Sequence, residues 1–167
     1  EKVRVIPNGV DIDIFQPQER NVALRRELEL PADAPVAGLV AVIREEKNHA
    51  RFLRIAQAVH NQLPTAHFLL VGDGPELPDY EQMARDLGID DAVHFVGRRT
   101  DIPALLSELD LFLLTSDMEA SPVSILEAMA CGLPVVSTRV GSISETIADG
   151  VSGFLVEKTA EDEMAAR

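Results

Sequence analysis

The sequence predicts an α/β domain, an open parallel sheet with helices on both faces, on three observations. Over the C-terminal two thirds, short apolar runs alternate with longer stretches of helical period, the pattern of strands and the helices that cover them. Most of the runs are apolar at consecutive positions, as strands buried on both faces are. The chain has 167 residues, 46 % hydrophobic and 26 % charged, enough for one sizeable core and too few for two comfortable ones.

In chain order, 1–6 reads as a strand, and further strands are expected at 36–43, 67–71, 93–96, 111–115, 135–137 and 154–156. Between the second and third of these seven, Phe52, Ile55, Ala56, Val59 and Leu63 recur at helical spacing and mark a helix packed on the sheet. Helices are also expected at 77–87, 102–108, 122–131 and 143–148, and the last residues read as an acidic helical stretch. The helix from 122 is the best marked. Ser121 is a suitable N-cap, Pro122 suits the first helical position, and Ile125, Leu126, Met129 and Ala130 form its apolar stripe. Gly132 can take a left-handed cap conformation, and Pro134 stops the helix before Val135.

Charge narrows the partners. Fifteen Lys and Arg against 28 Asp and Glu give a net charge of −13, and the excess of acid falls entirely after residue 60. Such a surface repels nucleic acid and anionic lipid, so an anionic ligand must be met by a local cluster of cations. The single cysteine, Cys131, cannot close an internal disulfide, and the four histidines show no metal-ligand spacing, so a structural zinc site is effectively ruled out. No apolar run approaches the roughly 20 residues of a membrane span, and no signal peptide opens the chain. A cytoplasmic setting follows by default. The chain opens inside a strand without an initiator Met, which reads as a piece of a longer protein.

Ligands of open α/β sheets bind beyond the carboxyl ends of the strands, so the strand-to-helix turns are the places to read. After the first sheet strand, Arg44 and Lys47 stand three residues apart at a helix mouth, either a diphosphate clamp or a charged loop paired with Glu45 and Glu46. Gly72-Asp73-Gly74 opens like a dinucleotide fingerprint but lacks its third glycine; Gly72 admits a ligand or simply a tight turn. Gly97 and Arg98 sit on the same rim, as nucleotide contacts or as solvated surface. The fourth turn holds two carboxylates, Glu119 in the loop and Glu127 in the second helical turn. Carboxylates repel phosphate, so beside a nucleotide they would accept hydrogen bonds from ribose or sugar hydroxyls; alternatively, Glu127 serves the helix dipole and Glu119 the surface. Asp11-Ile12-Asp13 imitates a metal-binding DxD but reads as turn chemistry after Pro7-Asn8-Gly9.

Taken together these segments resemble the C-terminal, donor-binding domain of the family 4 (group 1) glycosyltransferases, of GT-B fold. The resemblance runs almost end to end: Val5 through Asp11, Arg44 through His49, Leu69 through Pro75, Val93 through Gly97, Glu119 through Val136, and then Gly141, Glu145, Gly150 and Gly153. It implies a single Rossmann-like domain over 1–167, half of a two-domain enzyme whose N-terminal partner binds the acceptor and would carry any membrane contact. It implies transfer of a sugar from a nucleotide-diphosphate donor with retention at the anomeric carbon and without a required metal. Carried over residue by residue, Glu119 contacts sugar hydroxyls, Glu127 the ribose, and Lys47 with Arg44 the diphosphate. Ser121 opens the binding helix, backbone N–H groups of Val123 and Ser124 add donors to the pyrophosphate, Gly72 lets the ligand approach, and the base sits near Gly97 and Arg98. Two positions depart from the family pattern: Ala41-Val42 stands where many members carry Gly-Arg, with Arg44 as a substitute cation, and Gly141-Ser142 replaces Gly-Gly. The rivals are a non-catalytic nucleotide-sugar-binding regulatory module and a dinucleotide oxidoreductase. The latter would need a glycine fingerprint where this chain has Arg44-Glu45-Glu46-Lys47.

Overall fold

The computed structural model describes residue 4 and residues 6–167. The strand expected at 1–6 therefore lies mostly outside the described residues, and Arg4 and Ile6 are in no strand. From there the order is α1 (Val22–Glu27), β1 (Val36–Val40), a 3-10 turn (Glu45–Lys47), α2 (His49–Gln62), β2 (His67–Val71), α3 (Leu77–Asp86) and β3 (Val93–Phe95). The chain continues through α4 (Ile102–Ser107), β4 (Leu111–Leu114), α5 (Val123–Ala130), β5 (Val135–Thr138), α6 (Ile143–Thr146), β6 (Gly153–Val156) and α7 (Glu161–Ala166).

All six strands are parallel, in the order β3-β2-β1-β4-β5-β6. The chain winds outward from β1 to β3, returns, and winds outward again from β4 to β6. Because crossovers are right-handed, the two halves place their connecting helices on opposite faces. The direction reverses between β1 and β4, and it is at the carboxyl ends of strands flanking such a reversal that open α/β sheets bind their ligands. The core lies where these layers meet. Phe52, Phe68 and Phe112 are fully buried, with Phe52 edge-on to Phe68 at 6.3 Å between ring centroids. Leu39, Leu69, Leu70 and Leu114, at consecutive or facing strand positions, are equally inaccessible, which is why the strands read as unbroken apolar runs.

Several expected boundaries shift for local reasons. The strand expected to reach Ile43 ends at Val40, although Ala41 N–H still donates to the Val71 carbonyl and Ile43 N–H to that of Asp73. Extended backbone thus runs past the sheet into the loop. At α5 the expected cap is corrected: Pro122 itself is the N-cap, with an extended ψ of 116°, and no side chain caps the helix. Ser121 instead offers its carbonyl to the Asn8 side chain. The other end is as expected, with Gly132 left-handed and Leu133 N–H donating to the Ala128 carbonyl. Helix α1 was not foreseen. Asn21 caps it through the N–H groups of Ala23 and Leu24, and its inward residues include Arg25, whose guanidinium donates to the carbonyls of Pro31, Ala34 and Glu108. The buried Glu108 carboxylate stands 3.6 Å away. A charged residue on the inner face hides the helix from an apolar-period reading.

Gly141 follows β5 at φ +55°, and a Cβ there would collide with the carbonyl oxygen of Glu119. Gly141→Ala is expected to cost about 2–4 kcal/mol of stability. Chemical denaturation measures this directly, and a variant as stable as the parent would contradict the close approach.

Candidate functional site

Two loops meet at the β1/β4 reversal. Leaving β1, Arg44 is extended, the 3-10 turn carries Lys47, and Asn48 takes a left-handed conformation (φ 49°, ψ 58°) that starts α2. Asparagine tolerates that conformation, and its Oδ1 caps the helix by accepting from Arg51 N–H at 2.9 Å. Leaving β4, Thr115 and Ser116 are fully buried. Thr138 Oγ1 on β5 donates to the Ser116 carbonyl at 2.6 Å.

The loops are braced together. Asp117 N–H donates to the Glu46 carbonyl at 2.8 Å, and Asn48 Nδ2 donates to Asp117 Oδ2 at 2.7 Å. The buried Arg51 guanidinium donates to the Thr115 carbonyl at 2.7 Å and to Asp117 Oδ1 at 2.8 Å. Thr115 Oγ1 lies 3.2 Å from the carbonyls of Lys47 and Asn48. Burial pushes the Asp117 carboxyl upward, but the hydrogen bonds from Arg51 and Asn48 outweigh it and hold the group below the usual carboxylate range.

This brace brings Lys47 and Glu119, 72 residues apart in sequence, into contact. Lys47 Nζ lies 2.6 Å from Glu119 Oε1, and Ser116 Oγ donates to the same oxygen at 2.6 Å. The pair is mostly enclosed, with side-chain exposures of 23 % for Lys47 and 7 % for Glu119. Arg44 does not join it: its side chain is 66 % exposed and stands 3.9 Å from Glu46. Four residues after Glu119, α5 begins at Val123 with no side chain capping it, so its first N–H groups remain available to an anion. Glu127 lies one turn along, stacked by helical spacing on Val123 and Ser124. It is half-buried without a hydrogen-bond partner among the described residues, and burial raises its pKa.

Arg98 lines a neighbouring hollow, and Gly97 precedes it in the chain. Gly72, Asp73, Val42 and Arg98 line a cavity of about 410 Å³ beyond the ends of β1 and β2. Gly97, left-handed at φ +64°, accepts a hydrogen bond from Gly72 N–H at 2.9 Å. Gly72 is required by the fold itself, because a Cβ would strike the Ala41 carbonyl oxygen. Three hollows are larger: one of about 470 Å³ along the β3 edge, ringed by five carboxylates, one of about 530 Å³ around the starts of β5 and β6, and one of about 450 Å³ lined by Glu45, Asn48, Glu76, Tyr80 and Asp117. Size alone would favour these, but the second lies at the opposite ends of the strands, and the carboxylates lining the first and third would repel an anion.

Other candidates resolve simply. Asp13 N–H donates to Asp11 Oδ1 at 3.0 Å, so the DxD look-alike is an Asx turn. Among the described residues, no three His, Cys, Asp or Glu side chains converge as metal ligands. His49, fully buried against Tyr80, has its pKa lowered to about 4 by burial, with an opposing pull from the Ala41 carbonyl, and stands neutral beneath the loop. Asn48, Arg51 and Asp117 were not singled out by sequence. The only signal was an Asn placed directly after the clamp lysine.

A sequence profile described as Glycosyl transferases group 1 matches residues 22–167. The chain is similar to the GDP-mannose-dependent alpha-(1-6)-phosphatidylinositol monomannoside mannosyltransferase of Mycolicibacterium smegmatis, at 33 % identity over 94 % of this chain and 44 % of that protein. It is similar in structure to Anabaena Alr3699/HepE in complex with UDP-glucose, with TM-score 0.83 and 29 % identity over 98 % of this chain and 47 % of the other. It is also similar to the C-terminal domain of the group 1 glycosyl transferase LpcC from Francisella tularensis, with TM-score 0.83 and 28 % identity over 95 % and 85 %. The chain spans less than half the length of the curated relatives it matches, between 22 % and 44 %. No helix among the described residues is long and apolar enough to cross a membrane.

Glu127 gives this region a pH signature. Its folded pKa stands above the ordinary 4.5, so the native state holds the proton more tightly than the unfolded state does. The destabilisation is absent below the unfolded value, grows as pH rises through the interval, and is complete above the folded value. Glu127→Gln is therefore expected to melt higher than the parent near pH 7 and level with it near pH 3. A pH-independent difference in melting temperature would contradict this.

Proposed function

Because the chain belongs to the group 1 glycosyl transferases, we propose that it is the donor-binding half of a two-domain enzyme. In this reading it transfers a sugar from a nucleoside-diphosphate sugar to an acceptor held by a preceding domain, with retention at the anomeric carbon and no required metal. The observation that carries the reading is the Lys47–Glu119 pair at the β1/β4 reversal, with the uncapped start of α5 four residues after Glu119. The bound UDP-glucose of the Anabaena relative supports a sugar nucleotide as the ligand, and the GDP-mannose dependence of the mycobacterial relative leaves the base open between uridine and guanosine.

Each group has a task. Lys47 and the N–H groups of Val123 and Ser124 hold the diphosphate; Arg44, exposed on a short loop, swings in to add a second cation. Glu119 and Glu127 accept hydrogen bonds from sugar and ribose hydroxyls, and the base occupies the hollow lined by Gly72 and Arg98, next to Gly97. As the bond between the anomeric carbon and the phosphate oxygen breaks, negative charge accumulates on the leaving diphosphate. A fixed ammonium and oriented backbone donors stabilise that charge without reorganising. Each charge-assisted hydrogen bond contributes about 1.5–3 kcal/mol. Glu127, raised in pKa and unpartnered while the site is free, gains hydrogen bonds when the ribose arrives.

The test is thermal protection by UDP, GDP, ADP and their sugar conjugates. At least one base series is expected to raise the melting temperature, and Lys47→Ala and Glu127→Ala are each expected to weaken that protection by about tenfold in ligand concentration. Indifference of the unmutated chain to every nucleotide at millimolar concentration would overturn the assignment.

A further inference from the structure

The geometry points to a second binding site at the β2–β3 edge of the sheet, where His67 and His94 form a two-imidazole clamp for a divalent transition-metal ion of square-planar or octahedral preference, copper(II) or nickel(II). The site uses none of the residues assigned to the sugar nucleotide, so it stands or falls independently of that reading.

His67 and His94 are the two titratable residues in the six strands. Every other strand position is apolar or glycine, save Ser137 and Thr138. In sequence the two stand 27 residues apart, which hides them from a search for ligand spacing; the sheet joins them. β2 and β3 pair in parallel with Leu69 opposite His94, and His67, two residues before Leu69, shares its face. The ring planes lie 29° apart with 5.1 Å between centroids, and His67 Nδ1 stands 2.9 Å from His94 Nε2. Both residues are half-buried, so solvent reaches them.

With metal–nitrogen bonds of about 2.0–2.1 Å, nitrogens at that separation subtend roughly 90° at a shared ion. This is the angle between adjacent ligands in square-planar and octahedral complexes, and it is tighter than tetrahedral zinc prefers. Water completes the coordination. Binding releases no net proton from the neutral pair. The hydrogen bond between the rings uses one N–H, and shifting that proton to the outer nitrogen of its own ring frees both facing lone pairs. Burial is the main cause holding both imidazoles below the ordinary histidine value, which keeps them neutral at neutral pH.

The surroundings favour a cation. His94 lines the hollow ringed by five carboxylates, in which Arg85 is the one cation. Glu27 is occupied by Arg99, but Glu29, Glu81, Asp90 and Asp91 form no ion pair among the described residues. Asp91 acts electrostatically on both rings and Glu29 on His94. Arg25, which acts on His67 in the opposite sense, is balanced by Glu108 at 3.6 Å. An ion held by the two rings ties the three-residue strand β3 to β2, and because it binds only the folded chain it raises the melting temperature.

The probe is Ni²⁺ added to the untagged chain. Calorimetric titration is expected to show one site, and His67→Gln and His94→Gln are each expected to weaken it by at least about tenfold, because a single imidazole loses the gain from simultaneous attachment. In imidazole NMR spectra of the parent, substoichiometric Ni²⁺ is expected to broaden the ring signals of His67 and His94 first and to leave His49 sharp. Affinity that survives either substitution unchanged, or no binding at millimolar Ni²⁺, overturns the inference. Should the variants not fold, the ring signals of the parent decide: broadening that begins elsewhere, or none, overturns it.

Discussion

A single buried guanidinium holds the working end of this molecule together. Arg51, in the first turn of α2, reaches across the β1/β4 boundary to the Thr115 carbonyl and Asp117. Asp117 in turn fixes Asn48 and, through its backbone, the Glu46 carbonyl. Two loops that leave adjacent strands toward opposite halves of the sheet are thus locked at a fixed separation. That separation sets whether Lys47 and Glu119 touch. On the far side of the guanidinium Glu161 of α7 stands 3.5 Å from Nε and also binds Arg54, so the last helix is pinned onto α2 by the same charge. Removing one partner from such a network leaves a charge without compensation in a place water scarcely reaches.

The electrostatics of the site follow from scarcity. A chain of net charge −13 offers little general attraction to a phosphate ligand. What it has is one enclosed ammonium, the unpaired N–H groups at the start of α5, and carboxylates placed to the side, where hydroxyls would come. Helix α5 begins at a proline in extended conformation and has no side chain across its first turn. A Ser or Asp cap would typically add about 1 kcal/mol to such a helix; its absence leaves the donors free. Glu127 sits half-buried without a partner among the described residues, and burial disfavours its charged form. Both features run against stability, and both lie at the reversal where a ligand would compensate them.

The sheet was largely legible in the sequence because burial on both faces writes itself as unbroken apolar runs. The strand over 67–71 coincides with β2, and the five others expected after residue 35 agree to within one to three residues. Helix α2 announced itself by period, and the end of α5 by Gly132 and Pro134. What escaped notice was polar. Helix α1 carries Arg25 on its inner face, satisfied by three carbonyls that no pattern of apolar residues reveals. At the site, Lys47, Glu119 and the α5 start were picked out individually, but the brace was not, since Asn48 and Arg51 find Asp117 at separations of 69 and 66 residues. The two glycines in the rim were legible as glycines and not for their reason. Gly72 and Gly141 admit neighbouring backbone, the carbonyls of Ala41 and Glu119, where a side chain would collide.

The central claim is that the β1/β4 reversal, and no other hollow of the fold, receives a sugar nucleotide. Amide chemical-shift mapping during titration with UDP-glucose and with GDP-mannose examines it most directly. Perturbations are expected at Lys47, Ser116 through Glu119, Val123, Ser124 and Gly97, appearing together with one binding curve. Shifts confined to the β3 edge around Arg85 and His94, or to the hollow around Met129 and Phe154, would contradict the account.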